Sequence, residues 1–260
     1  MKKLLVALMV VAFAGMAVGI VVGVLIGYLA SLILAAWLTR RLWLVRGAPF
    51  DHKLFLRQVI PLVIGFAAYQ YLLSADTIFV NAFFGKGQTG SYFAAGTLSR
   101  ALVWAAAPLV AVMFPKIVHS AVKSKRSNML GLTMLSTAVV VLIGGAGLWL
   151  LGPWVIRLIY KPEFVDPTLQ VLPWYLGAMV PLCMATVVVN SLLARYDYRA
   201  VPWMVALVAG YSLAIILLHE NVIQILQLLT IFCTLLFGVC AWFTWVSKPP
   251  QKAQGDVPTI

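Results

Sequence analysis

The feature that most constrains this chain is a series of long apolar runs, at about residues 14–38, 58–84, 91–115, 129–151, 169–194, 200–218 and 222–246, separated by short polar connections. Each run is close to the roughly 20 residues that a helix needs to cross the hydrocarbon core of a bilayer. Backbone N–H and C=O groups find no water there, so a single segment satisfies them only by coiling into a helix. The runs therefore predict an all-α, polytopic transmembrane bundle. Its organisation reads as an N-terminal span within residues 1–38, a basic loop over 39–57, six spans over 58–246 and a tail over 247–260. With 63% hydrophobic and 10% charged residues and a mean hydropathy of +1.01, the chain is too apolar for a water-soluble domain of 260 residues.

The first run follows Met1-Lys2-Lys3 and continues to Leu38, well past the length of a signal-peptide core, so it reads as a retained membrane segment. As one helix, residues 4–38 would extend about 52 Å. That length fits one span over 14–38 with residues 4–13 as its extension or as the stub of a preceding helix. Gly15, Gly19, Gly23 and Gly27 recur every fourth residue and form a smooth ridge suited to close helix packing.

The formal charge of +12 is placed unevenly. Arg40, Arg41, Arg46, Lys53 and Arg57 crowd the connection after the first span, Lys116, Lys123, Lys125 and Arg126 follow the third, and Arg195 and Arg199 follow the fifth. By alternation all three connections fall on one side of the membrane, as does the tail with Lys248 and Lys252. The positive-inside rule makes that side cytoplasmic, and the basic residues then need no nucleic-acid partner. The opposite side receives the turn at 85–90, the connection at 161–168 and His219-Glu220-Asn221.

Cys183, Cys233 and Cys240 all lie in apolar runs without zinc-ligand spacing, and His52, His119 and His219 are scattered through connections. No phosphate-binding loop, nucleophile elbow or metal-binding helix motif is present, so the expectation is a protein with no catalytic residues, no metal and no cofactor. Gly152-Pro153 predicts a break, after which Trp154 to Tyr160 reads as a short amphipathic piece on the membrane surface.

Two charges interrupt the apolar pattern inside spans: Asp76 and Arg100. Each costs roughly 2.5–3.5 kcal/mol at the centre of a membrane helix, so each needs a partner or a wet cavity. Asp76 precedes Gly85 by nine residues and Arg100 follows Gly90 by ten, which predicts matching depths about 14–15 Å below one surface. Helices joined by a tight turn are usually neighbours, so the two are expected to pair or to share a polar cavity. A structural ion pair fixing the hairpin register and a substrate or coupling-ion site both remain open. Gln70, Asn81 and Asn190 are further polar groups within spans, each equally able to bond between helices.

Ser74-Ala75-Asp76-Thr77-Ile78-Phe79-Val80, then Phe84-Gly85, Thr89-Gly90-Ser91-Tyr92-Phe93-Ala94-Ala95-Gly96 and Met113-Phe114-Pro115 occur in that order, followed by Asn190-Ser191-Leu192-Leu193-Ala194. In this order and spacing the chain resembles the polysaccharide flippases, including the O-antigen (Wzx-type) transporters of the multidrug/oligosaccharidyl-lipid/polysaccharide exporter superfamily. The resemblance implies two six-helix bundles around a central cationic cavity. This chain departs from it in having one bundle plus a preceding span, and so looks like a C-terminal half, which would need a second bundle as partner. The implied cargo is an undecaprenyl-diphosphate-linked oligosaccharide, carried from the inner to the outer leaflet of a bacterial cytoplasmic membrane for cell-envelope polysaccharide such as lipopolysaccharide. On that reading Arg100 meets the diphosphate, Asp76 holds Arg100 or takes a coupling ion, and Gln70, Asn81 and Asn190 contact sugar. The competing readings are a peptidoglycan-precursor flippase, a drug exporter of the same superfamily, a non-transporting membrane scaffold and a membrane glycosyltransferase. The last is disfavoured by the short outer connections.

Overall fold

The computed structural model describes residues 17–43, 52–122, 129–160, 162–195 and 197–246. Among these residues the chain forms seven α-helices: α1 (Ala17–Trp43), α2 (His52–Phe83), α3 (Lys86–Val122), α4 (Met129–Ile159), α5 (Val165–Ala194), α6 (Val201–Leu217) and α7 (Val222–Trp245). Short 3-10 turns at Pro162–Phe164 and Tyr198–Ala200 lead into α5 and α6. All seven helices are long and apolar enough to cross a membrane, so the protein is an all-α, multi-pass membrane bundle.

The helix α1 belongs to a first compact unit that ends at His52, and the remaining helices form a second from Lys53 onward. Within α1, Gly23 and Gly27 are buried while Leu25, Leu29, Leu32 and Ile33 project outward. Gly15 and the segment 4–13 lie outside the described residues, and so does the tail from 247. The basic connection is shorter than the sequence implies. Arg40 and Arg41 lie in α1, and Lys53 and Arg57 in α2.

The second unit is built around α5. Leu172, Tyr175, Ala178, Met179, Leu182 and Cys183 are fully or almost fully buried, because α3, α4 and α7 all pack against this helix. The helix α2 joins it through a hydrogen bond between the hydroxyls of Tyr69 and Thr186 at 2.7 Å, and Gly65 brings the α2 backbone against Leu193 and Val201. The helix α6 packs on α7, and Tyr71 ties α2 to α6 through Ser212 at 2.8 Å. The outer surface carries Trp149, Trp154, Trp203, Trp242 and many exposed aliphatic side chains, a coat suited to lipid.

Two local expectations are corrected. The helix α4 does not break at Gly152-Pro153 but continues to Ile159, so Trp154 to Ile159 is not a separate surface piece. A proline this near a C-terminus forfeits one backbone bond, and packing outweighs that loss. Ile156 is fully buried, and a Cβ on Gly152 would come within 2.9 Å of Leu172. The second correction concerns the glycine turn. The helix α3 already begins at Lys86, and Thr89 N–H and its hydroxyl both bond to the Gly85 carbonyl, at 3.1 and 3.0 Å. Gly90 serves close packing instead, since a Cβ there would lie 2.8 Å from the Phe164 ring.

The corner between α5 and α6 is held by Asp197. Its carboxylate accepts from Arg199 Nε and Nη2, each at 2.9 Å, and the Arg199 guanidinium lies 5.8 Å from the centre of the Phe243 ring. These Arg199 hydrogen bonds hold the Asp197 carboxyl below its ordinary value. A depressed folded-state pKa stabilises above the unfolded value and stops doing so as pH falls through the folded one. Asp197→Ala is therefore expected to cost under about 1 kcal/mol at neutral pH. Thermal melts of wild type and variant in detergent should begin to converge as pH falls below about 4 and meet only below the lowered folded-state value.

Candidate functional site

Asp76 and Arg100 meet at the α2–α3 contact. Arg100 Nη2 donates to Asp76 Oδ1 at 2.8 Å and lies 2.9 Å from Oδ2. Arg100 Nε donates to the Leu73 carbonyl at 2.9 Å, which anchors the guanidinium to the α2 backbone. The two residues are not equidistant from the turn along their helices, because α3 starts earlier than expected. Asp76 is seven residues from the end of α2 and Arg100 fourteen from the start of α3, or about 10 and 21 Å from the turn. They meet because long helical side chains lean toward the N-terminus of their own helix. In this antiparallel pair Arg100 reaches toward the turn and Asp76 away from it.

Three hydroxyls complete the cluster. Tyr92, eight residues before Arg100 on α3, donates to Asp76 Oδ2 at 2.8 Å. Tyr175 of α5 donates to the same oxygen and accepts from Arg100 Nη2 at 2.7 Å. Thr77 donates to Asp76 Oδ1 at 3.3 Å. The Tyr92 and Tyr175 rings pack with centroids 5.1 Å apart, and the Arg100 guanidinium carbon lies 5.5 Å from the centre of the Tyr175 ring. A Cβ on Gly96 would sit 2.9–3.1 Å from the Tyr175 hydroxyl and ring edge, so that glycine lets α5 approach α3 closely enough to deliver the tyrosine.

The cluster is asymmetric in its exposure. Asp76, Tyr92 and Tyr175 are completely buried, whereas the Arg100 side chain is 15% exposed. Among the described residues Arg100 Nη1 has no hydrogen-bond partner, while Nε and Nη2 are both engaged. The partly open edge belongs to a face of α3 on which Thr97 and Trp104 are exposed. On α2, Gln70, Ser74, Thr77 and Asn81 follow one another at helical spacing within an arc of about 60°, with Gln70 and Asn81 exposed. A polar face thus runs along α2, with Thr97 and the Arg100 guanidinium of α3 beside it.

Of the five residues singled out in the sequence, Asp76 and Arg100 come together directly. Gln70 and Asn81 flank them on the same helix, about 9 and 8 Å along its axis from Asp76, without touching the pair. Asn190 stands apart. It is half-buried near the far end of α5, where its Nδ2 donates to the Thr186 carbonyl at 2.8 Å. Tyr92 and Thr77 lay within the motifs quoted above without an assigned role. Tyr175, in a different helix 75 residues beyond Arg100, left no local signal.

Compared with protein-family models, with curated proteins and with solved structures, the chain matches none.

Proposed function

We propose that the chain forms one bundle of a membrane transporter that moves a lipid-linked, undecaprenyl-diphosphate oligosaccharide from the inner to the outer leaflet of a bacterial cytoplasmic membrane. The observation that carries this reading is the open edge of Arg100 beside the polar face of α2. A diphosphate crossing hydrocarbon needs a cationic, hydrated path, and the planar guanidinium fork matches phosphate oxygens. Gln70, Ser74 and Asn81 supply neutral donors and acceptors along the same line, of the kind a sugar chain takes. Such a face is poorly suited to lipid tails, which favours its being covered by a second bundle, either another copy or a separate chain. The basic connections favour a cytoplasmic C-terminus.

The complete burial of Asp76 favours a second reading, in which the ion pair only locks the α2–α3 register of a non-transporting scaffold. Translocation of a fluorescent polyprenyl-diphosphate oligosaccharide in proteoliposomes separates the two. Under the transport reading, Arg100→Gln is expected to lower the rate at least about tenfold, the equivalent of one charge-assisted hydrogen bond. Equal rates in folded wild type, folded variant and empty liposomes would leave the register lock.

A further inference from the structure

Asp76 has more donors than an ion pair requires. Besides Arg100 it accepts from Tyr92 at 2.8 Å, from Tyr175 and from Thr77 at 3.3 Å, and both tyrosines are fully buried. A carboxylate that loses a guanidinium partner in a dry site is normally left with an uncompensated charge. Here three hydroxyl donors would remain in place. Arg100 is the opposite case. Only Nη2 is bound to Asp76, Nε is tied to the Leu73 carbonyl on the backbone, Nη1 has no hydrogen-bond partner among the described residues, and the side chain is 15% exposed.

The geometry points to an exchange site. An incoming diphosphate takes Arg100 from Asp76, and Tyr92 and Tyr175 keep the abandoned carboxylate hydrogen-bonded until the anion leaves. Arg100 pivots about its Nε bond to Leu73 and presents Nη1 and Nη2 together to the phosphate oxygens. Tyr175 is the positioning residue at the handover: its hydroxyl touches both Asp76 and Arg100 Nη2, as the Thr77 hydroxyl does, but it alone comes from a third helix. The inference rests on the transport reading above. It adds that Asp76 competes with the cargo and that the two tyrosines set how strongly it competes. Without their hydroxyls the carboxylate keeps only Thr77 besides Arg100, and so holds Arg100 more tightly.

The test is equilibrium binding of farnesyl diphosphate to purified, monodisperse protein in detergent, with inorganic pyrophosphate alongside to separate headgroup from lipid recognition. Arg100→Gln is expected to weaken binding at least about tenfold. Asp76→Asn keeps an oxygen acceptor for the tyrosines and removes the competitor, so it should tighten binding. Tyr92→Phe/Tyr175→Phe keeps the ion pair, so it should weaken binding by about tenfold. Opposite signs for these last two variants are not produced by loss of structure. If Arg100→Gln weakens binding but either of the other two changes fails to appear, the exchange is overturned and the cationic site stands. If Arg100→Gln binds as wild type does, the transport reading at this site falls, and the exchange with it.

Discussion

Asp76→Ala is expected to be the most damaging single substitution in the bundle, lowering stability by about 3–5 kcal/mol, the cost of breaking a buried ion pair from one side. The alanine would leave Arg100 Nη2 without its carboxylate and would remove the acceptor of both Tyr92 and Tyr175, which have no exposure through which to recruit water. Removing both charges should be milder. In Asp76→Ala/Arg100→Met no unpaired charge remains, and methionine fills much of the space vacated by the arginine stem. Thermal unfolding of the four proteins in one detergent gives the coupling directly. A double variant as unstable as the sum of the two single ones would show that the side chains act independently, against the geometry of the cluster.

Gly96→Leu should come next, at about 1–3 kcal/mol. The Tyr175 ring edge occupies the space that even a Cβ would need. The tyrosine cannot move aside cheaply, because its hydroxyl is bonded to both Asp76 and Arg100. The control is Gly87→Ala, in the first turn of the same helix, where a Cβ would meet nothing within 4 Å. Alanine there should be neutral or stabilising by up to about 1 kcal/mol through helix propensity. Equal melting temperatures for Gly96→Leu and wild type would mean that α3 and α5 are farther apart than the structure has them.

The helices were legible because the bilayer makes each one nearly autonomous. A run such as Val222 to Trp245 has no option in hydrocarbon other than to bond its backbone to itself. Helix ends were less legible. Lys86 to Gly90 carries turn-forming glycines, yet it is helical because Thr89 caps onto Gly85 and Gly90 accommodates Phe164, and neither contact can be read from the local sequence. Pro153 similarly invited a break that the burial of Ile156 prevents.

The candidate site divides along the same line. That Asp76 and Arg100 need company follows from the cost of a charge in hydrocarbon, a property of the residues that holds in any fold. Their joining from unequal distances along their helices, their enclosure by Tyr92 and Tyr175, and the partial exposure of Arg100 alone depend on how α2, α3 and α5 pack. Gln70 and Asn190 show the limit most clearly. Both are polar amides within predicted spans, yet one lies on the open face of α2 and the other bonds to its own helix. By itself the sequence determined seven membrane helices and two charges that cannot be left alone, because solvation energy acts on each residue separately. Only the tertiary structure decided which hydroxyls answer those charges and which edge stays open, because those depend on distances between helices far apart in the chain.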